Sequence, residues 1–237
     1  MKQRVIPKPI GILGGMGPEA TILFQQRLMT AMPDATIDED HIPLVIDMNP
    51  QVPSRIAHLI EGTGEDPSIV LASMARRLEG AGAAALAMPC NTAHHYADAI
   101  VNAVDIPFLN MVELSASYLN KLHETGERVG MLASPAVQLT RLFDKALSPF
   151  EKTTLWPDND DKMLAAIQAI KKHGPTETAK SILQAASNEL ANAGAMVQLI
   201  ACSEFSLFTT ENIKAPGVQL IDTIDVLVEH IVLQVTR

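Results

Sequence analysis

The feature of this sequence that most constrains its fold is an internal repeat. The residues Ala81-Gly82-Ala83 precede an apolar stretch that ends near Cys90, and the same order returns 112 positions later, where Ala193-Gly194-Ala195 precedes an apolar stretch that ends near Cys202. A chain of 237 residues is long enough for two domains of about 120 residues each. The repeat therefore indicates that one structural unit has been duplicated.

Each repeated unit is predicted to be an α/β domain. Short apolar runs that end in Gly, Pro or polar residues alternate along the chain with longer stretches of helical periodicity. This alternation is typical of a parallel β-sheet whose strands are joined by crossover helices. Strands are predicted at residues 9–13, 44–48 and 83–88, a helix at residues 68–80, and a closing amphipathic helix at residues 221–235.

The composition and the charge exclude several classes of protein. Hydrophobic residues make up 47% of the chain, and 18 basic against 27 acidic residues give a net charge of −9. Such a field repels phosphate groups and anionic lipids, so we expect no nucleic-acid partner and no membrane partner. No apolar stretch reaches the ~18 residues of a transmembrane helix, and the first 15 residues carry Gly and Pro where a signal peptide needs a continuous apolar segment. We expect a cytoplasmic protein.

The two cysteines are the candidate catalytic residues. Two cysteines in a chain of this length cannot form a disulfide framework. Cys90 and Cys202 each end a predicted strand just before a polar pair, Asn91-Thr92 or Ser203-Glu204. The carboxyl ends of parallel strands face the ligand cleft, so both thiols are expected to face one cleft. A thiolate and a thiol on opposite sides of a carbon atom can remove a proton from one face and return it to the other, which inverts that carbon.

Four motifs resemble those of the aspartate/glutamate racemase family, the cofactor-independent amino-acid racemases. They are Gly-Gly-Met-Gly-Pro-Glu-Ala-Thr at residues 14–21, Met-Asn-Pro-Gln-Val-Pro-Ser-Arg at 48–55, Met-Pro-Cys-Asn-Thr-Ala-His at 88–94 and Ala-Cys-Ser-Glu at 201–204. The resemblance runs nearly from end to end of the chain. It implies that the protein racemises aspartate, glutamate or both with a cysteine thiolate and a cysteine thiol, and without pyridoxal phosphate.

The resemblance also implies an architecture and an assembly. Two similar Rossmann-like domains with parallel four-stranded sheets are expected about a pseudo-two-fold axis, with the active site in the cleft between them. The expected domains are residues 1–115 and 116–219, and the C-terminal helix of residues 220–237 is expected to pack back on the first domain. A homodimer is the expected assembly, and an amino acid is the expected small-molecule partner.

Each residue that matches a family motif is expected to have that motif's role. Cys90 and Cys202 are expected to exchange protons with the substrate. Arg55 is expected to bind the side-chain carboxylate, because a guanidinium can hold a carboxylate through two parallel hydrogen bonds. A family lysine that precedes a glycine falls on Lys172, with Lys171 as the alternative. The remaining expected substrate contacts are Met16, Gln51, Asn91, Thr92, Ser203 and Glu204.

Two departures from the family pattern bear on the substrate. The chain reads Ala-Ser-Pro-Ala-Val at residues 133–137, so the hydroxyl expected near Val137 is absent. Ser203 replaces the usual threonine and removes one methyl group. These departures leave the preferred substrate open. A related isomerase or lyase, of the maleate isomerase or hydantoin racemase type, and a ligand-binding homologue without turnover stay as alternatives.

Two motifs have competing interpretations. Cys90 and His94 are four residues apart, a spacing that a zinc site uses, but a structural zinc site needs four ligands and no close ligand pair surrounds Cys202. We therefore expect no metal. The glycine motif at residues 15–20 matches a dinucleotide-binding fingerprint, with Asp47 as the ribose ligand. The spacing to Asp47 is longer than the usual ~20 residues, so we expect the glycines to admit a small substrate instead.

Overall fold

The computed structural model describes residues 8–32, 34–122 and 126–235. The expectation of a cytoplasmic protein used the first 15 residues, and residues 1–7 of that segment lie outside the described residues. In the described parts of the chain, no helix combines the length and the apolar character that crossing a bilayer requires.

The first half of the chain forms a parallel four-stranded sheet covered by helices. Its strands are β1 (Ile10–Gly14), β2 (Leu44–Met48), β3 (Ala85–Ala87) and β4 (Phe108–Leu109). Its helices are α1 (Pro18–Thr30), α2 (Ser68–Gly80), α3 (Ala97–Val101) and α4 (Met111–Leu122), with a π-helical turn at Ala57–Glu61 and 3-10 turns at Asp38–Asp40 and Thr92–Tyr96. The strand order is β2-β1-β3-β4.

The second half repeats this arrangement. Its strands are β5 (Arg128–Ala133), β6 (Thr153–Leu155), β7 (Val197–Ala201) and β8 (Gln219–Asp222). Its helices are α5 (Pro135–Leu139), α6 (Leu142–Leu147), α7 (Asp160–His173), α8 (Glu177–Asn192), α9 (Thr210–Ile213) and α10 (Thr223–Val235), with 3-10 turns at Ser148–Phe150 and Phe205–Leu207.

The two sheets have equivalent topologies. The strand order of the second sheet is β6-β5-β7-β8, and all its neighbouring strands are parallel, as they are in the first sheet. In the first sheet β1 lies between β2 and β3, and in the second sheet β5 lies between β6 and β7. The predicted α/β class with two parallel four-stranded sheets is confirmed.

The repeated glycines occupy equivalent turns before the central strands. Gly82 follows helix α2 with a φ of +92°, and Gly194 follows helix α8 with a φ of +90°. A residue with a Cβ atom is strained in this left-handed conformation, so each turn from helix to strand requires glycine. The repeat seen in the sequence is therefore a repeated helix–turn–strand unit that leads to a cysteine.

The last helix packs against the core of the first sheet. Ile224, Leu227 and Ile231 of α10 belong to one buried apolar cluster with Ile10 of β1 and Phe24 of α1. Strand β8, which directly precedes α10, belongs to the second sheet. The chain therefore passes from one half of the molecule to the other at Thr223.

A partly buried ion pair also joins the two halves. The Nη1 atom of Arg27, in α1, lies 2.6 Å from Oδ2 of Asp222, at the end of β8. The Nη2 atom donates a hydrogen bond to the backbone oxygen of Ser206 at 2.6 Å. Ser206 in turn donates its hydroxyl to Asp222 at 2.8 Å. These contacts tie α1 to the segment that follows Cys202.

The boundaries of some elements differ from the sequence prediction. The closing helix begins at Thr223 and not at residue 221, because residues 219–222 pair with β7 as the edge strand of the second sheet. The strand predicted at residues 83–88 covers only Ala85–Ala87. Strand β2 and helix α2 have the predicted bounds.

Candidate active site

The two cysteines lie at the carboxyl ends of equivalent strands and line one cleft. Cys202 directly follows β7, and Cys90 lies three residues after β3. Both are free thiols, and they are 6% (Cys90) and 5% (Cys202) exposed. The residues that line the cleft come from both halves of the chain: Met16, Ser54, Arg55, Ile56, Cys90, Thr92, Ser134, Ile167, Lys171, Cys202 and Glu204.

The cleft is nearly closed. Its free volume is about 30 Å³. This is space for one or two water molecules and not for an amino acid. A substrate therefore requires the two halves, or the loops at the mouth of the cleft, to move apart.

Cys202 belongs to a chain of polar contacts. Its Sγ donates a hydrogen bond to Oε2 of Glu204 at 3.2 Å. The other carboxylate oxygen, Oε1, lies 3.1 Å from Nζ of Lys171, in the geometry of an ion pair and not of an aligned hydrogen bond. Burial, and then the charge and the hydrogen bond of Glu204, raise the pKa of the Cys202 thiol well above its ordinary value. Cys202 is therefore protonated at neutral pH.

His94 supports the backbone of Cys90. Its Nδ1 lies 2.8 Å from the carbonyl oxygen of Cys90, and its Nε2 accepts a hydrogen bond from the backbone N–H of Met111 at 3.0 Å. Since a carbonyl can only accept, the proton of the neutral ring is on Nδ1. Burial lowers the pKa of His94 to about 4, so the ring is neutral at pH 7.

Arg55 presents a buried positive charge to the cleft. It is 9% exposed, and its Nη1 donates to the carbonyl oxygens of Val52 at 3.3 Å and Pro53 at 3.0 Å. These contacts hold the guanidinium without neutralising it. Among the described residues, no carboxylate forms an ion pair with Arg55. An uncompensated cation in such a site favours an anionic ligand.

Asn91 connects the region of Cys90 to the second sheet. Its Nδ2 donates a hydrogen bond to Oγ1 of Thr223 at 3.0 Å, and that hydroxyl donates to the backbone oxygen of Ile200 at 3.0 Å. Asn91 and Ser203 are both buried, but neither is among the residues that line the closed cleft. Thr92 and Glu204, the residues that follow them, do line it.

The structure places Lys171 at the cleft, whereas the sequence favoured Lys172 with Lys171 as the alternative. Successive residues of a helix project about 100° apart, whereas residues four apart share a face. Ile167 and Lys171 are four apart on α7, and both line the cleft. Lys172 is exposed and outside the cleft. The apolar position at Ile167, four residues earlier, is the signal in the sequence for the lysine that faces the cleft.

The two predicted contacts from the first half differ in position. Met16 is 2% exposed and lines the cleft. Gln51 is exposed, and its backbone N–H donates to Oδ1 of Asn49 at 3.0 Å. It is not among the residues that line the closed cleft. The expected contact between Gln51 and a substrate therefore stays a prediction.

Two serines, Ser54 and Ser134, and two isoleucines line the cleft without having been predicted to do so. Ser134 caps helix α5, since its Oγ accepts a hydrogen bond from the backbone N–H of Ala136 at 3.2 Å. Its hydroxyl proton is left to donate elsewhere. Ile56 and Ile167 form an apolar part of the wall. Val137 is fully buried in the core, consistent with the absence of a hydroxyl there.

The glycine turn after β1 is explained by packing. Gly15 has a φ of +90°, and a Cβ atom at this position would collide with the backbone of Asn49. Asp47, the proposed ribose ligand, forms an ion pair with Arg77 at 2.6 Å. The described residues contain no cluster of three or more His, Cys, Asp or Glu side chains arranged to hold a metal ion. The glycines bring the loop at residue 49 close to the turn that carries Met16.

Comparisons of the sequence identify similar proteins. The model of the Asp/Glu/hydantoin racemase family matches residues 13–231 of the chain. The broad-specificity amino-acid racemase RacX of Bacillus subtilis is 29% identical over 171 residues, which cover 67% of this chain and 70% of that protein. The match to the family model includes all the residues that line the cleft.

Comparisons of the structure lead to the same group of proteins. The aspartate racemase of Picrophilus torridus has a TM-score of 0.84 at 30% identity, covering 96% of this chain and 94% of that one. A glutamate racemase of Francisella tularensis in complex with D-glutamate has a TM-score of 0.66 at 17% identity, covering 98% of this chain and 82% of that one. At 17% identity the second similarity concerns the fold alone.

Proposed function

The chain belongs to the Asp/Glu/hydantoin racemase family and is a racemase, and from this premise we propose that it interconverts the L and D forms of an acidic amino acid, aspartate or glutamate or both. The proposal rests on one observation above all. Two free cysteines at equivalent strand ends line a cleft that also contains Arg55, which has no ion-pair partner among the residues that the structure describes. The thiols supply the proton transfers, and the arginine selects an anionic side chain.

The proposed reaction uses one thiol on each face of the α-carbon. With Cys202 protonated, the thiolate of Cys90 removes the α-proton from one face of the substrate. The Sγ–H bond of Cys202 then breaks as its proton is delivered to the opposite face. The product leaves with the inverted configuration, and the enzyme is left with Cys90 protonated and Cys202 ionised.

The reverse direction requires Cys202 to act as the base. Its proton already lies in a hydrogen bond to Glu204, with Sγ 3.2 Å from Oε2. Glu204 is thus positioned to receive this proton and becomes the neutral acid, while the positive charge of Lys171, 3.1 Å from Oε1, stabilises the Cys202 thiolate that forms. We propose that Glu204 serves Cys202 in this way in addition to lining the substrate site.

The charges that line the cleft match an acidic amino acid. Within the described residues, the lining carries the basic side chains Arg55 and Lys171 and the acidic side chain Glu204. Lys171 forms a pair with Glu204, and the thiolate of Cys90 acts at the α-carbon, so Arg55 is the cation left for a second carboxylate. Aspartate and glutamate each carry such a carboxylate on the side chain. We propose that Arg55 binds the side-chain carboxylate and that Asn91, Thr92 and Ser203 lie at the α-amino and α-carboxylate end.

The proposal includes features of the whole protein. Both proton transfers are carried out by thiols, so the reaction as proposed requires no pyridoxal phosphate and no metal. A homodimer and a cytoplasmic location stay as proposals, and sedimentation analysis of the purified protein would test the first. RacX, the similar protein of Bacillus subtilis, has broad specificity, and the chain lacks the hydroxyl expected near Val137. The substrate range is therefore to be tested with neutral as well as acidic amino acids.

The alternative activities are distinguished by the substrate that reacts. A hydantoin racemase or a maleate isomerase would not need Arg55 to bind the side-chain carboxylate of an amino acid. A binding homologue would retain the cleft without exchange at the α-carbon. Retention of both cysteines at one cleft argues against a binding homologue without turnover, and Met16 and Arg55 at the same cleft argue against the other two activities.

The decisive experiment follows deuterium at the α-carbon. Purified protein without added cofactor is incubated in D₂O with L- and D-aspartate, L- and D-glutamate and several neutral amino acids. Deuterium uptake together with loss of optical rotation is expected for an acidic amino acid, starting from either enantiomer. Turnover of neutral amino acids alone, or of maleate or a hydantoin alone, would overturn the proposal.

A further inference from the structure

Thr223 joins the two catalytic halves of the molecule by hydrogen bonds. It is fully buried, and it is the first residue of α10, where the chain leaves the second sheet for the first half of the structure. Its Oγ1 is 3.0 Å from Nδ2 of Asn91, the neighbour of Cys90. The same atom is 3.0 Å from the backbone oxygen of Ile200, two residues before Cys202.

The direction of these hydrogen bonds is determined by their chemistry. The carbonyl oxygen of Ile200 can only accept, so the single hydroxyl proton of Thr223 is donated to it. Toward Asn91, Thr223 can then act only as an acceptor. The amide must therefore present its NH₂ group to Thr223, with its oxygen Oδ1 on the other side.

The amide oxygen of Asn91 is left available. Asn91 is 1% exposed, and its Oδ1 is buried and has no hydrogen-bond partner among the described residues. A buried polar atom without a partner is unfavourable, so such a position favours the arrival of a hydrogen-bond donor. The ammonium group of an amino acid is a donor only, and it can supply that bond.

We propose that Thr223 is a positioning residue, which orients the Asn91 amide so that Oδ1 accepts a hydrogen bond from the α-ammonium group of the substrate. This inference rests on the proposed function, because it takes the ligand to be an amino acid. Asn91 contacts the substrate and Thr223 does not. Through Ile200, the same hydroxyl keeps this contact in register with strand β7, which leads to Cys202.

The test compares ligands with and without an ammonium group. Thr223→Val removes the hydroxyl at nearly constant volume, and Thr223→Ser retains it. Calorimetry measures the Kd of each variant for aspartate and for succinate, which lacks only the amino group. For Thr223→Val we expect about a tenfold weaker Kd for aspartate, the loss of one charged hydrogen bond, and less than a twofold change for succinate. For Thr223→Ser we expect both values within about threefold of wild type.

Equal weakening of both ligands in Thr223→Val would overturn the proposal, because a merely structural role affects aspartate and succinate alike. Unchanged binding of aspartate would overturn it as well. If Thr223→Val does not fold, Thr223→Ala removes the same hydroxyl without a second methyl group beside the amide, and the same comparison is made with it.

The wild-type protein separates this inference from the proposed function. If wild type racemises neutral amino acids only, the acidic substrate is wrong, but the ammonium contact is common to all amino acids. Alanine and propionate then replace aspartate and succinate in the same comparison. A selective loss for alanine supports the role of Thr223, and an equal loss for both ligands overturns it.

Discussion

Cys202 donates a hydrogen bond from Sγ to Oε2 of Glu204 at 3.2 Å. The first half of the chain has no acidic residue at the position equivalent to Glu204. The position 112 residues before Glu204 is Thr92, which also lines the cleft. Duplication has thus produced two similar sheets with different proton environments. A racemase must favour neither enantiomer at equilibrium, but its two bases can be ionised by different means.

Glu204→Gln is expected to make Cys202 ionise more readily. The negative charge and the hydrogen bond of Glu204 raise the pKa of this thiol, so their removal lowers that pKa, although burial still holds it up. Each unit by which the pKa falls increases the thiolate fraction about tenfold. The rate of alkylation of Cys202 by iodoacetamide at pH 8, measured by mass spectrometry in a Cys90→Ser background, should rise severalfold. Alkylation of Cys90 in a Cys202→Ser background is the control and should not change.

Neither Cys90→Ala nor Cys202→Ala is expected to racemise the substrate. Each variant lacks the proton carrier of one face, while the remaining thiol can still take part in exchange on its own face. Racemisation, followed by polarimetry, should fall more than tenfold in each, a loss of over about 1.4 kcal/mol in transition-state stabilisation. A variant that keeps more than a tenth of the wild-type rate would contradict the two-base mechanism. The wild-type rate should also decline at both low and high pH, since one thiol must be ionised and the other protonated.

The fold could be predicted from the sequence where local patterns and tertiary packing agree. Helix α2 has the predicted bounds because its apolar positions repeat with helical period and face one core. The last two residues of β8 are predicted as part of the closing helix, because Ile221 lies in helical register with Ile224 and Val228 of α10. Only pairing with β7, a long-range interaction, identifies these residues as part of a strand.

The site could be predicted in its chemistry but not in its details. The duplicated cysteines and the family motifs led to both thiols and to Arg55, which line the cleft. The choice between Lys171 and Lys172 depends on the rotation of α7 against the cleft. The bridge through Thr223 depends on a contact between residues 132 positions apart, which no local pattern encodes.

Lys171→Ala is expected to impair catalysis, and Lys172→Ala is its matched control. Lys171 forms the ion pair with Glu204 at 3.1 Å, but its side chain is 41% exposed, so the solvent weakens the interaction. We expect kcat/KM for the acidic substrate to fall on the order of twofold to fivefold in Lys171→Ala. Lys172→Ala should remain within experimental error of wild type. A larger loss in Lys172→Ala would return the role to Lys172.

His94 is expected to make the protein less stable in acid. Its pKa is 6.5 in the unfolded chain and about 4 in the buried site, so between these values the unfolded state binds a proton that the folded state does not. Stability is therefore fully present above pH 6.5 and is lost as the pH falls toward 4, by about 3 kcal/mol in total.

Denaturant unfolding at several pH values between 7 and 4 measures this dependence. Between pH 7 and 4, the unfolding free energy of His94→Gln should fall less than that of wild type, by most of the roughly 3 kcal/mol that His94 contributes. The variant is nevertheless expected to be less stable than wild type at pH 7. His173→Gln changes an exposed histidine at the end of α7 and should follow wild type. An unchanged pH dependence in His94→Gln would mean that the ring is not neutral in the folded protein.

Arg55→Leu is expected to remove the preference for acidic substrates. The guanidinium is held by the carbonyl oxygens of Val52 and Pro53, and it lacks a carboxylate partner among the described residues. A second carboxylate that enters this cleft needs a cation, because an unpaired buried charge costs several kcal/mol. Values of kcat/KM for aspartate or glutamate should fall by about 1.5–3 kcal/mol per charge-assisted hydrogen bond lost, while those for a small neutral amino acid change much less. Arg55→Lys keeps the charge without the planar fork and should lie between wild type and Arg55→Leu. An equal loss for both substrate classes would mean that Arg55 supports its loop, and the acidic specificity would then need another residue.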